Sequence, residues 1–179
     1  MTLRRDALAA AAEIIGMVEA LAIESGPPVV GTVGRLAPDP GMVNVVPGRV
    51  EMSVDLRHRT HDGLETLVSE FASRAHAIAD RRRVGLTIDR FWTSEPTPFD
   101  DRVVTTVARV AKGICPDAMH LWSGAGNDAK HAADAGPAGM IFVRSRGGLS
   151  HCEAEHSDDG DIVAGVATLL ETVLELDAS

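Results

Sequence analysis

Apolar residues recur every three or four positions in some stretches of this chain and every second position in others. The switch between the two periods predicts its elements. Over residues 3 to 24, Leu8, Ala11, Ile14, Ile15, Val18 and Leu21 form one stripe, predicting a helix that Ser25-Gly26-Pro27-Pro28 stops. Val29 to Leu36 is a β-rich run, and Pro38 to Gly41 a loop. From Arg49 to Arg57 the alternation is strict: Val50, Met52, Val54 and Leu56 face one way, Glu51, Ser53, Asp55 and Arg57 the other. Asp62-Gly63-Leu64-Glu65 has the form of a capping box, opening a helix to about Arg82 with Leu64, Leu67, Phe71 and Ala75 as its stripe. Val84 to Trp92 reads as a further strand.

The order α-β-β-α-β suits helices packed on one face of an antiparallel sheet, and its terminal strands leave an edge to be protected or paired. Ser94-Glu95-Pro96-Thr97-Pro98 interrupts any regular element and marks a boundary. Beyond it the pattern predicts a helix at 100–113, a small-residue loop, a helix near 127–135, a strand at Met140 to Arg144, a histidine-bearing loop and a last helix at 159–176. Asp158 or Asp159 would cap that helix, and Ile162, Val163, Val166, Leu169, Leu170, Val173 and Leu174 would be its apolar face.

Composition narrows the class. Hydrophobic residues make up 45% and charged ones 24%, as in a globular chain, but aromatics are only 3%, so the core must be aliphatic. A net charge of −9 argues against a nucleic-acid partner. Arg81-Arg82-Arg83 reads as a solvated helix end. No run is long and apolar enough for a membrane span, and the N-terminus does not read as a signal peptide. Cys115 and Cys152 do not make a disulfide framework, so a cytoplasmic location is the expectation.

Chemistry concentrates in two places. Ser123-Gly124-Ala125-Gly126 precedes a helix whose N-terminal N–H groups could receive a carboxylate, although a simple turn is the more common explanation. It is not a nucleophile elbow, because Leu121 and Ala125 stand at the two glycine positions. His151, Cys152, Glu153, Glu155 and His156 are all donors suited to zinc or a similar ion; the plain alternative is an acidic surface loop. Arg57, on the polar face of its strand, is able to hold a carboxylate bidentately or to pair with Asp55. Asn44, in Val43-Asn44-Val45-Val46-Pro47-Gly48, would satisfy local backbone or recognise a ligand. Asp128 complements a helix dipole. His58, His61, His76, His120 and His131 read as surface residues.

Taken in order, Gly31-Thr32-Val33-Gly34-Arg35-Leu36, Asn44-Val45-Val46-Pro47-Gly48, Asp55-Leu56-Arg57, Ser123-Gly124-Ala125-Gly126-x-Asp128-Ala129, Met140-Ile141-Phe142-Val143 and Ser150-His151-x-x-x-Glu155 form a pattern. It resembles the N-carbamoyl-L-amino-acid hydrolase and allantoate amidohydrolase family of the aminoacylase/carboxypeptidase-type metallopeptidase superfamily, across essentially the whole chain. The resemblance implies an α/β protein. Residues 1–94 would be an α+β lid and dimerisation domain lacking its first strands, with a ferredoxin-like antiparallel sheet and two helices. Residues 95–179 would be the C-terminal part of a metallopeptidase-type α/β catalytic domain.

By the same resemblance, Asn44 and Arg57 hold the substrate carboxylate, and Gly124, Gly126 and Asn127 lie on a substrate-contacting segment. His151 is the last metal-binding histidine, and Glu155 the acid that follows it. The implied cofactor is a pair of divalent ions (Zn, Mn, Co or Ni), the implied substrate a small carboxylate-bearing ureido or amide compound, and the implied assembly a homodimer through the lid. The implied reaction is hydrolysis of a ureido or amide C–N bond by a metal-activated water, with a Glu accepting the proton.

Two departures stand out. Asn127 replaces the histidine common after Ser-Gly-Ala-Gly, and it cannot carry a proton. The remaining metal ligands and the catalytic Glu belong to a region N-terminal to this chain, so Met1 reads as an internal methionine of a longer protein. The leading expectation is a portion of a carbamoylase-type amidohydrolase, inactive alone. Next comes a non-catalytic dimerisation or binding module from that family. An independent metal enzyme built on residues 151–156 comes last.

Overall fold

The computed structural model describes residues 1–178 and divides into two compact units, Met1–Pro96 and the residues from Thr97 onward. Among the described residues there are five α-helices and one small antiparallel sheet of two strands.

In the first unit, α1 spans Ala7–Ser25. It begins later than the periodicity predicts because Asp6, with extended backbone, accepts the N–H groups of Leu8 at 3.1 Å and Ala9 at 3.0 Å. A side chain that satisfies two orphan donors fixes a helix start more firmly than an apolar stripe does. Gly26, at φ 67°, ends the helix. β1 (Val30–Asp39) and β2 (Arg49–Arg57) pair antiparallel from Val30 with Arg57 to Asp39 with Arg49. The register shifts between Val33 and Arg35, leaving Gly34 as a bulge.

Helix α2 spans His61–Arg82, and its cap is Thr60, whose hydroxyl accepts the Gly63 N–H at 3.3 Å. The expected capping residue, Asp62, lies instead in the first turn, where its charge complements the helix dipole. Arg81 and Arg82 are not merely solvated: both reach Glu13 on α1 and hold its carboxyl below the usual range.

α1 and α2 share one core with the inner face of the hairpin. Ile14, Val18, Leu21, Leu67, Phe71, Ala75 and Ile78 are buried, with Met52, Val54 and Leu56 of β2 packed against them. The strict alternation of β2 thus reports its buried face correctly. Residues 84–92 form no ladder among the described residues. Leu86 packs on the core and Arg90 pairs with Glu65 of α2 at 2.7 Å, so the segment is held by side chains. β-propensity describes a side chain's fit to a pleated surface; it does not supply a hydrogen-bonding partner.

In the second unit, α3 (Asp101–Ile114) is capped by Asp100, which accepts the Val103 N–H at 3.0 Å. α4 (Asp128–Ala135) is short, a 3-10 turn covers Arg146–Gly148, and α5 spans Asp159–Asp177. α3 packs along α5, joined by Arg109 to Glu175 and by the Arg102 guanidinium to the Leu176 carbonyl at 3.2 Å. The predicted strand at 140–144 also lacks a ladder among the described residues. It is wedged between the helices at two glycines. A Cβ on Gly139 would stand 2.7 Å from Val103, and one on Gly165 2.7 Å from Val143.

α5 is oriented against its own pattern. Thr168 and Thr172 are buried, at 4% and 3% exposure, while Leu169 and Val163 of the expected apolar face are 55% and 67% exposed. Amphipathicity names the face that wants burial; it does not place the covering partner within the same unit. Truncating the first core should therefore cost far more than trimming this helix. Phe71→Ala is expected to lower the unfolding free energy of the first unit by about 3–5 kcal/mol. Val163→Ala should stay within about 0.5 kcal/mol. Urea unfolding midpoints followed by circular dichroism check both.

Candidate functional site

The first group of candidates lies on the hairpin. Asn44 sits in the turn of the loop between β1 and β2 and is exposed. That loop is closed by the Gly48 N–H donating to the Asp39 carbonyl at 3.0 Å and tied to α1 by the Ala7 N–H donating to Pro47 at 3.3 Å. Arg57 is the last residue of β2 and pairs in register with Val30. The two therefore occupy opposite ends of one hairpin. Eight strand steps of about 3.3 Å separate Arg49 from Arg57, so the loop and Arg57 are on the order of 25 Å apart. One copy of the chain does not bring Asn44 and Arg57 onto one small carboxylate.

Arg57 is held in a bidentate pair: Nε donates to Oδ1 of Asp55 at 2.9 Å and Nη2 to Oδ2 at 2.7 Å. Residues two apart on a strand share a face, which is why the pair forms. The Arg57 hydrogen bond holds the Asp55 carboxyl below its ordinary range, and Asp55 in turn raises Arg57. A guanidinium is planar, so a carboxylate partner at two of its N–H donors fixes its plane. The geometry is that of an oriented cation at a strand end.

The second group lies in the second unit. Ser123 closes a small turn, its hydroxyl donating to the Ala125 carbonyl at 2.8 Å and accepting the Ala125 N–H at 3.3 Å. Gly124 lies inside that turn and Gly126 follows it, and added side-chain atoms at Gly126 would meet open space. Asn127 caps α4, its Oδ1 accepting the Ala129 N–H at 2.9 Å. Its oxygen serves the helix, and Asp128 follows in the first turn.

His151 is exposed and adopts φ 59°, a left-handed conformation that costs a non-glycine residue about 1–3 kcal/mol unless its surroundings hold it. Its N–H donates to Oε2 of Glu155 at 2.7 Å, and the Glu155 N–H returns to the Cys152 carbonyl at 3.0 Å. Glu155 thus works as a clasp that keeps the loop in this conformation. Among the described residues no three His, Cys, Asp or Glu side chains gather closely enough to hold a metal ion. The density of donors at 151–156 in the sequence is not density in space: His156 turns to Asp158 at 3.5 Å while Glu155 turns inward to the backbone.

Sequence reading passed over two further contacts. His61 pairs with Glu95 at 2.7 Å, which raises the imidazole's proton affinity. The Cys115 thiol donates to Asp117 at 2.9 Å and is thereby pushed up, away from thiolate reactivity. Neither carried a signal beyond spacing: the first links residues far apart in sequence, and the second is a two-residue step in a loop.

The sequence model of peptidase family M20/M25/M40 matches residues 6–175. The chain is 40% identical over 98% of its length to N-carbamoyl-L-amino acid amidohydrolase of Geobacillus stearothermophilus, spanning 43% of that protein. It is 33% identical to allantoate amidohydrolase of Escherichia coli, again over 98% of this chain and 43% of the relative. It superposes on the crystal structure of an amidase of the hydantoinase/carbamoylase family from Burkholderia multivorans with a TM-score of 0.93 and 31% identity, over 98% of this chain and 43% of the other. The chain spans less than half the length of these relatives.

The Asp55–Arg57 pair sets a pH dependence of definite sign. A carboxyl lowered in the folded state adds stability that is complete above its unfolded value and fades as pH falls through the folded one. Both partners are partly exposed, so the contribution is at most about 1 kcal/mol. In Arg57→Ala, Asp55 should titrate at a higher pH than in the unmodified chain, read by carbon-13 NMR of its carboxyl. An unmoved titration would show that the pair does not persist in solution.

Proposed function

We propose that this chain, which belongs to peptidase family M20/M25/M40, carries the substrate-carboxylate clamp of an amidohydrolase acting on N-carbamoyl amino acids or related ureido acids. The observation that carries this reading is the fork of Arg57. It stands at a strand end, oriented by Asp55 and pointed to by the resemblance of Asp55-Leu56-Arg57. The relatives support the substrate class, being named for N-carbamoyl-L-amino acids and allantoate, which share a carboxylate and a ureido group.

In this reading, residues 1–94 are a lid, its helices and hairpin forming part of a ferredoxin-like layer, and residues 95–179 are the C-terminal part of the catalytic domain. Gly124, Gly126 and Asn127 supply a close-approach segment for substrate. His151 is a single metal-binding imidazole on a loop clasped by Glu155. Asn44 and Arg57, at opposite ends of one hairpin, serve one substrate only if they come from two copies. That supports a homodimer formed through the lid.

Among the described residues no three donors gather to make a complete site for a divalent ion (Zn, Mn, Co or Ni): His151 is one donor, and catalytic zinc takes three protein ligands. In this reading the metal would supply activation of a water in an enzyme of full family length, and the isolated chain is inactive. What these residues do is bind the substrate carboxylate, orient it and leave the ureido carbon toward the other half.

In an enzyme of full family length containing this sequence, Arg57→Ala should raise KM for an N-carbamoyl amino acid. Losing a charge-assisted pair is worth about 2–3 kcal/mol, roughly 30- to 150-fold, with kcat changed much less. The corresponding amide without a carboxylate should show no such loss. Equal KM values for variant and parent would reject the clamp. His151→Ala should lower the bound metal measured by mass spectrometry of the purified enzyme; full occupancy would reject the ligand assignment.

A further inference from the structure

We infer that His58 is a positioning residue for the Arg57 fork, a latch that ties the end of β2 to the first turn of α2; the inference rests on the function proposed above. Arg57 is the last residue of β2 in the ladder, opposite Val30. Asp55 fixes the plane of its guanidinium from within the strand. The direction in which the chain leaves the sheet falls to the next residue. His58, read from the sequence as a surface residue, is half-buried, and its Nδ1 accepts the Thr60 N–H at 3.0 Å. A backbone N–H can only donate, so Nδ1 is unprotonated and the ring's proton sits on Nε2. The Thr60 hydroxyl, 3.1 Å from the same nitrogen, donates to it and accepts the Gly63 N–H at 3.3 Å. The Thr60 carbonyl, 3.2 Å from Nδ1, is taken up by the Leu64 N–H at 3.0 Å. One imidazole nitrogen thus holds the cap of α2 from the position immediately after Arg57.

Gly63 supplies an independent observation. A Cβ there would overlap Nδ1 and Cε1 of the His58 ring and stand 2.6 Å from Nε2. Gly63 lies within α2 and not at a positive φ, so no left-handed turn calls for glycine. In a helix, glycine is less favourable than almost any other residue. Its place in the first turn is explained by the ring it admits: the edge of the imidazole lies where a side chain would begin. The corner from strand to helix is therefore filled by one side chain and kept open by one glycine. A group that meets a small carboxylate must be placed within about 0.5 Å by residues that are themselves held. Asp55 does this for the guanidinium plane, and His58 does it for the strand end from which the guanidinium projects. His58 acts only through Arg57.

In an enzyme of full family length containing this sequence, His58→Ala should raise KM for an N-carbamoyl amino acid roughly fivefold or more, with kcat changed much less. His58→Asn, whose side-chain oxygen is able to accept the Thr60 N–H, should recover most of that loss. His76→Ala, which removes an exposed imidazole from α2, should keep the parent's KM. In an Arg57→Ala background His58→Ala should add nothing, because a positioning residue has no effect once the group it positions is gone. A parental KM in His58→Ala, or the same loss with and without Arg57, overturns the inference. Where His58→Ala does not fold, Gly63→Ala replaces it: the added methyl drives the ring out and should raise KM likewise, and a parental KM overturns the inference. A second readout does not depend on the functional reading. In the 179-residue chain, proton–nitrogen NMR should show the Arg57 Nε–H signal displaced by Gly63→Ala, and nitrogen-15 shifts should place the His58 proton on Nε2. An undisplaced signal or a proton on Nδ1 overturns the latch. Should Arg57→Ala itself leave KM at the parent's value, the clamp falls and the NMR comparison alone decides the latch.

Discussion

An apolar helix face must be withdrawn from water, and the two units of this molecule meet that demand differently. In the first, α1, α2 and the hairpin cover one another, so Val18, Phe71 and Ala75 are buried by residues of the same unit. In the second, α3 covers only the threonine side of α5. The first unit therefore has the anatomy of a self-sufficient core. The second buries the threonine side of α5 and leaves its aliphatic side exposed.

The same contrast runs through the backbone. β1 and β2 satisfy each other along a ladder from Val30 to Asp39, with one bulge at Gly34. Residues 84–92 and 140–144 carry the composition of strands and find no ladder among the described residues. Ladder bonds are a joint property of two segments, so a sequence announces its half of the bond and nothing of the other. That is why the order α-β-β-α was legible in the first unit, while the expected strand at 84–92 forms no ladder among the described residues. The helices were legible throughout because their bonds are internal. Their starts moved to Asp6 and Thr60 because caps, not stripes, decide where a helix begins.

Candidate chemistry was less legible than fold, for a related reason. The run His151 to His156 looks like a ligand cluster on paper, but consecutive loop residues diverge, and here Glu155 bonds the backbone of His151 while His156 turns to Asp158. Arg57 and Asp55 were the easier case, since a spacing of two on a strand puts both side chains on one face. Asn127 was read as part of a substrate-contacting segment, and what the structure adds is that its oxygen caps α4.

These facts converge on a division of labour. Each candidate side chain is held by local bonds: Arg57 by Asp55, the His151 loop by Glu155, the glycine turn by Ser123. Preorganisation of that kind places a group accurately without assembling a site. Assembly needs surfaces that meet, and the hairpin length that separates Asn44 from Arg57 means that no single copy unites them. The oriented guanidinium stands where a strand ends, and the His151 backbone where a loop is clasped by Glu155.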